Sequence, residues 1–251
     1  MRKTDILGVK FDEVTPESAA ERVVGFLGGA SDRARTRTVV TPNPEMVMAA
    51  AGDAGFKDIL NRADLCVPDG IGVVAASKIL GGNLTTRVAG IELVEGIFER
   101  VSALGCECSV YLLGGKPGVA ERAGRELSEK YGCIRIAGVC DGYFGAERER
   151  LIAEGIAGAA PDVLLVGLGF PKQERFMDSY KEVLGARVVV GCGGSLDVFA
   201  GEVARAPLAF RRLGLEWFYR LLKQPSRFRR MLVLPLFVLR VFKDRFRRRN
   251  I

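Results

Sequence analysis

Histidine is absent from this 251-residue sequence. Triads built on His, His-ligated zinc and imidazole general bases are thereby excluded, so any acid–base chemistry must rest on Asp, Glu, Lys, Tyr or Cys. The six cysteines (Cys66, Cys106, Cys108, Cys133, Cys140 and Cys192) form no CxxC and no paired spacing, which reads as reduced thiols in a cytosolic core. No GxxxxGK[ST] occurs, and no GxGxxG with a ribose-binding acid at the usual distance. The first residues, MRKTDILGVKFDE, turn acidic before an apolar leader could form, so no secretory signal is expected. Internal repeats and low-complexity stretches are lacking too.

What is present suits one sizeable domain, or one domain with an appendage: 48% of residues are apolar and 27% charged. The net charge of +7 is unevenly spread. From Arg205 to Ile251 there are 14 Lys and Arg against Glu216 and Asp244, a net of +12, while residues 1–204 carry a net of −5. The basic character therefore belongs to the tail.

Along the body, short apolar runs alternate with amphipathic segments. KTDILGVKF is strand-like, and TPESAAERVVGFLGG is a helix with Thr15 at the N-cap and Pro16 at N1. TRTVVT reads as a strand, NPEMVMAAAGDAGFKDILNRA as one or two helices, DLCV as a strand, and VVAASKILGG as a helix ended by glycine. CSVYLLGG, IRIAGVCDGYF, PDVLLVGLG and ARVVVGCGG then supply four buried strands, separated by helices beginning near Lys116, Ala146 and Pro171. Such alternation predicts βαβ units, hence an α/β fold with a Rossmann-like parallel sheet, helices on both faces and a C-terminal helical appendage. The expected boundary lies near residues 200–207.

Candidate site residues cluster where strands end. Gly114 and Gly115 close one strand, Gly193 and Gly194 another; such glycines permit close backbone approach beside a helix N-terminus that favours phosphate, or they are simply tight turns. GLGFPKQERFM sets Lys172 and Gln173 in the first turn of a helix at the sheet's carboxyl edge. TPNPEMV places Thr41 and Asn43 beyond another strand, where Asn43 can also cap the next helix. Asp69 sits in a Pro-Asp-Gly turn, and Arg87 precedes a helix beginning near Gly90; each alone would be unremarkable turn or surface chemistry.

Taken together, TPNPEMV, DLCVPDGIGVV, TTRVAGIELVE, YLLGGKPGVAE, DGYF, GLGFPKQERFM and GCGGSLDVFAGEVARAP resemble the WecG/TagA/CpsF family of bacterial glycosyltransferases. The resemblance runs in order over about residues 5–223 and continues into LGLEWFYRLLKQPSRFRR, which resembles the family's C-terminal appendage. It implies an inverting enzyme that moves N-acetylmannosamine or a related sugar from a UDP donor to N-acetylglucosamine on a polyprenyl diphosphate. The product would feed wall teichoic acid or surface polysaccharide synthesis. Residues 1–204 would then hold the UDP-sugar crevice, and 205–251 a basic appendage serving as active-site lid and membrane anchor. By the same resemblance Asp69 is the general base, with Thr41, Arg87 and Gln173 in its pocket. UDP would meet Asn43, Gly114, Gly115, Lys172, Gly193, Gly194 and, near the ribose, Asp197. Tyr143 would stack on uracil or be an ordinary core aromatic. Arg220, Arg227 and Arg230 would close over the diphosphate, whose oxygens suit the guanidinium fork. DxD, a common metal–diphosphate signature, does not occur, so no metal and no cofactor is expected.

Two other readings compete. A Rossmann-type NAD-dependent oxidoreductase would account for the glycine turns but not for the basic tail. A nucleic-acid-binding module would use the tail arginines, yet the apolar residues among them argue against a solvated basic arm. The run MLVLPLFVL, Met231 to Leu239, would measure about 13 Å as a helix against a bilayer core of about 30 Å, so it cannot span. Pro235 is expected to weaken it as a helix. With Phe242, Phe246 and the arginines around them it reads instead as an interfacial anchor on an anionic leaflet, the alternative being an extra core-packing helix pair. Peripheral attachment to the inner face of the cytoplasmic membrane is the expected location, a homo-oligomer is compatible with the sequence, and nucleic acid is not an expected partner.

Overall fold

The computed structural model describes residues 2–28, 35–207, 209–210, 216–223 and 232–249, without the side chains of residues 217, 220, 223 and 249. The chain begins with a hairpin. β1 (Lys3–Ile6) pairs antiparallel with β2 (Val9–Asp12), Ile6 opposite Val9. Between them Leu7 and Gly8 have φ of 54° and 92°, the two positive values that a type I′ turn requires. KTDILGVKF is therefore two strands, not one; a leucine at the first turn position carries no turn signal.

The next elements are α1 (Pro16–Leu27), β3 (Arg37–Val40), α2 (Pro44–Ala50), α3 (Ala54–Arg62), β4 (Leu65–Cys66) and α4 (Ile71–Leu80). Thr15 caps α1 in a reciprocal box: its hydroxyl accepts the Ser18 N–H at 3.2 Å, and Ser18 Oγ accepts the Thr15 N–H at 2.9 Å. NPEMVMAAAGDAGFKDILNRA resolves into two helices because the Asp53 carboxylate accepts the Phe56 N–H at 2.9 Å and starts the second. Gly81, at φ 81°, ends α4 as its left-handed cap.

There follow α5 (Gly90–Ala103), β5 (Cys108–Gly114), α6 (Val119–Tyr131), β6 (Ile134–Cys140), α7 (Ala146–Ala159), β7 (Val163–Gly167), α8 (Lys172–Tyr180), β8 (Val188–Gly191) and α9 (Ser195–Phe199). The C-terminal part contributes α10 (Glu216–Lys223) and α11 (Val233–Arg249). Six strands pair in parallel in the order β4-β3-β8-β7-β5-β6. The fold is α/β and Rossmann-like, as the alternation of apolar runs and helices predicts.

Because side chains of a strand alternate between faces, each central strand feeds two cores. Val163 and Leu165 join α1, α5 and α6 in one layer through Val23, Phe98 and Leu127. Leu164 and Val166 join the other, with Phe56 of α3, Ile156 of α7 and Phe176 of α8. Phe237 and Val241 of α11 belong to that second layer and are 2% and 1% exposed. The apolar run ending at Leu239 thus gives part of itself to the core. Pro235 does not break the helix: it is the third residue of α11, in the first turn, where a missing N–H costs no intrahelical bond. The opposite face leaves Leu232, Leu236, Leu239, Phe242 and Phe246 exposed. Among the described residues, no helix is long and apolar enough to cross a membrane. All six cysteines are free.

Candidate active site

The carboxyl ends of all six parallel strands open into one cleft of about 770 Å³, the place where an open α/β sheet binds ligands. Thr41 and Asn43 follow β3, Asp69 follows β4, Gly115 follows β5 and Tyr143 follows β6; Gly193 and Gly194 follow β8. Arg87, Gln173 and Asp197 complete the set of sequence-predicted residues that line it.

Backbone stitching holds these loops together. The Asp69 N–H donates to the Pro42 carbonyl at 3.1 Å, and the Val88 N–H donates to the Pro68 carbonyl at 2.7 Å. The Pro-Asp-Gly turn is thereby tied both to the Thr41–Asn43 loop and to the segment that carries Arg87. Asn43 Oδ1 accepts the Met46 N–H at 3.0 Å, so it caps α2 while facing the cleft. Thr41 is buried, and its hydroxyl donates to the Gly191 carbonyl at 3.1 Å. Gln173 is 3% exposed, and its Oε1 accepts the Gly193 N–H at 2.9 Å, pinning the turn after β8. Tyr143 is 68% exposed, which removes the core-aromatic reading and leaves its ring on the rim.

Two predicted residues are not brought to the cleft. A Cβ on Gly114 would lie 2.4 Å from the Gly167 carbonyl oxygen, so this glycine serves the close approach of β5 to β7. Lys172 turns the other way: its Nζ donates to the Phe144 carbonyl at 3.0 Å and lies 3.9 Å from the centre of the Phe144 ring. Arg227, Arg230 and the side chain of Arg220 lie outside the described residues.

Other lining residues escaped the sequence reading. Lys116 directly follows the Gly114–Gly115 pair, and a cation at that spot is the cue that would have found it. Glu216, at the start of α10, reaches the cleft and accepts from Arg87 Nη1 at 3.1 Å; Glu92 accepts from Arg87 Nη2 at 3.4 Å. Glu92 also meets Arg205 at 2.9 Å, and Arg205 meets Glu95 at 2.8 Å, so a line of alternating charge runs from α10 to α5. Nothing in local sequence pairs Arg87 with a residue 129 positions away. Cys192 lines the cleft as well, but burial pushes its thiol up to about 12, which keeps it protonated and inert near neutral pH. Among the described residues, no three His, Cys, Asp or Glu side chains are grouped as a metal site.

Comparison with known proteins agrees with this architecture. The family model described as "Glycosyl transferase WecG/TagA/CpsF family" matches residues 4–251. A Bacillus subtilis strain 168 protein named N-acetylglucosaminyldiphosphoundecaprenol N-acetyl-beta-D-mannosaminyltransferase is 39% identical over 82% of this chain and 79% of its own. A Staphylococcus aureus MRSA252 protein of the same name is 36% identical over 96% of this chain and 92% of its own. The chain is a glycosyltransferase and belongs to the WecG/TagA/CpsF family.

Proposed function

We propose that the cleft transfers N-acetylmannosamine from a UDP donor to N-acetylglucosamine on undecaprenyl diphosphate, by single displacement and without a metal ion. The acceptor and sugar are those in the names of the two relatives. The observation that carries the reading is the joining of Asp69, Thr41 and Arg87 in one cleft by the Pro42 and Pro68 hydrogen bonds. Asp69 takes the proton of the acceptor hydroxyl, whose oxygen attacks the anomeric carbon. The bond from that carbon to the diphosphate oxygen breaks, and UDP leaves with the electron pair. One carboxylate on the acceptor side suffices for such an inversion.

The charge balance of the cleft supports a lid. Leaving aside the buried Glu174, whose carboxyl desolvation pushes toward the neutral acid, its described lining has four acids (Glu45, Asp69, Asp197 and Glu216) against Arg87 and Lys116, a formal charge of −2. A diphosphate adds more negative charge, so cations have to arrive with it. Arg220, Arg227 and Arg230 of the appendage fill that role in this reading, and residues 205–251 act as a unit separable from 1–204. The exposed stripe of Leu232, Leu236, Leu239, Phe242 and Phe246, bordered by Arg240, Lys243 and Arg247, suits the surface of an anionic bilayer. This would hold the protein at the inner face of the cytoplasmic membrane, beside its lipid-linked acceptor.

The test is a panel of UDP sugars with a soluble lipid-diphosphate N-acetylglucosamine acceptor, read by UDP release and by product mass. N-acetylmannosamine transfer undiminished in EDTA is expected. No transfer from any UDP sugar would overturn the donor assignment, and activity abolished by EDTA and restored by a divalent ion would overturn metal independence.

A further inference from the structure

Glu174 lies under the cleft, and the mechanism above does not use it. Its side chain is completely buried. Oε1 accepts from Gln173 Nε2 at 2.8 Å, while Oε2 has no hydrogen-bond partner among the described residues. Desolvation pushes its carboxyl above the usual range, favouring the neutral acid. A buried polar atom without a partner is costly enough to need a reason.

The geometry around Gln173 shows what the buried carboxyl does through its other oxygen. An amide is nearly the same shape end for end, yet only its oxygen can accept the Gly193 N–H. If the amide turned over, Nε2 would face that N–H, and two donors would oppose each other. Its neighbour decides the matter: Glu174 Oε1 is an acceptor and draws Nε2 toward itself. Space is reserved as well, since a Cβ on Gly191 would lie 2.4 Å from Nε2. Gly193 holds φ at 53°, a backbone state that its hydrogen bond to Gln173 helps to fix.

We propose that Glu174 is a positioning residue that sets the orientation of the Gln173 amide and, through it, the shape of the Gly193–Gly194 turn toward the nucleotide. The inference rests on the reading that this turn contacts UDP. Glu174 acts through Gln173, and the role needs only an acceptor at Oε1, which either protonation state supplies.

The proposal separates acceptor capacity from charge. Glu174→Met keeps the volume but removes the acceptor, so the dissociation constant for UDP and the donor KM should each rise about tenfold, with kcat changed less than about threefold. Glu174→Gln keeps an acceptor at Oε1 and should restore both constants toward the parent values. Loss of turnover in Glu174→Gln would overturn the proposal by assigning a role to the carboxylate itself, and parent-like UDP binding in Glu174→Met would overturn it too. Should Glu174→Met fail to fold, Gln173→Met takes its place: UDP binding should weaken by a similar factor, and adding Glu174→Gln should change nothing more. A multiplied effect in that pair would overturn the relay. Calorimetric titration of the parent protein with UDP separates the two levels, since no binding there fails the donor reading whereas equal binding by parent and variants fails this inference alone.

Discussion

The sheet side of the cleft and the appendage side are held by different forces. On the sheet side the loops after β3, β4 and β8 are tied by short bonds among neutral groups: Asp69 N–H to Pro42, Val88 N–H to Pro68, Gly193 N–H to Gln173. On the appendage side Glu216 is joined to Arg87, Arg245 donates to the Ile79 carbonyl and Arg248 pairs with Asp5 at 2.9 Å, while Phe237 and Val241 supply the buried contact. Backbone bonds inside a packed fold are indifferent to salt, whereas partly exposed ion pairs are screened by it. The difference teaches that the sheet side is ready before substrate arrives, while the appendage side can respond to ionic strength and, in the proposed reaction, to an incoming diphosphate.

Breaking the chemistry on the sheet side should give the largest effect. Asp69→Asn is expected to lower kcat by roughly 10²–10⁴-fold, the usual contribution of a positioned base. UDP affinity measured by titration should be kept, because the Asp69 backbone bond that shapes the turn survives the change. Near-parental turnover would remove Asp69 from the role.

Next in size is a comparison of cavities. Phe98 of α5 and Phe237 of α11 are both buried, and either truncation to Ala should cost about 3–5 kcal/mol. The expected outcomes differ in kind. Phe98→Ala should lower the melting temperature of the whole domain. Phe237→Ala should release α11, seen as proteolysis between α10 and the C-terminus well below the melting point of the body. Identical behaviour of the two variants would mean that the appendage unfolds only with the body.

A smaller effect should follow on the outer face of α11. Leu239 and Phe246 are 66% and 63% exposed, so changing both to Glu should leave the melting temperature alone. Co-sedimentation with anionic liposomes should fall by about tenfold or more, since each apolar side chain contributes on the order of 1.5–3 kcal/mol when buried. Unchanged co-sedimentation would show that lipid is met elsewhere.

The same contrast explains what could be read from sequence. Strand runs such as VLLVG are buried on both faces and follow one another with helices between them, so the sheet and the carboxyl edge where Thr41, Asp69 and Gly193 stand were legible. Capping was legible too, since Thr15, Asn43 and Gly81 act within four residues of themselves. Direction was not. Lys172 occupies the expected helix turn but points at Phe144, a choice set by packing that spacing cannot encode. Gly114 reads from sequence as a ligand glycine or a tight turn, and its close approach to Gly167 could not be told from either, because all these uses demand the same missing Cβ. The apolar run near the C-terminus was ambiguous for a similar reason: a helix that buries Phe237 on one side and exposes Phe242 on the other has apolar residues nearly all round.

The smallest expected effect lies where the two sides meet. Glu216→Gln removes one charge from the Arg87 pair while keeping an acceptor, and Glu92 still holds the other side of the guanidinium. Arg87 is therefore not left buried without a carboxylate, and the usual heavy cost of breaking a buried pair does not apply. Glu216 and a diphosphate are both anions drawn to the same cation, so neutralising one should favour the other. UDP affinity is expected to rise by roughly two- to tenfold, the scale of a single partly screened charge contact. Protection of α10 against protease should meanwhile lose most of its dependence on salt between low and physiological ionic strength. Weaker UDP binding would mean that Glu216 orients Arg87 for the nucleotide instead of competing for it, and the appendage would then belong to the preformed side of the site.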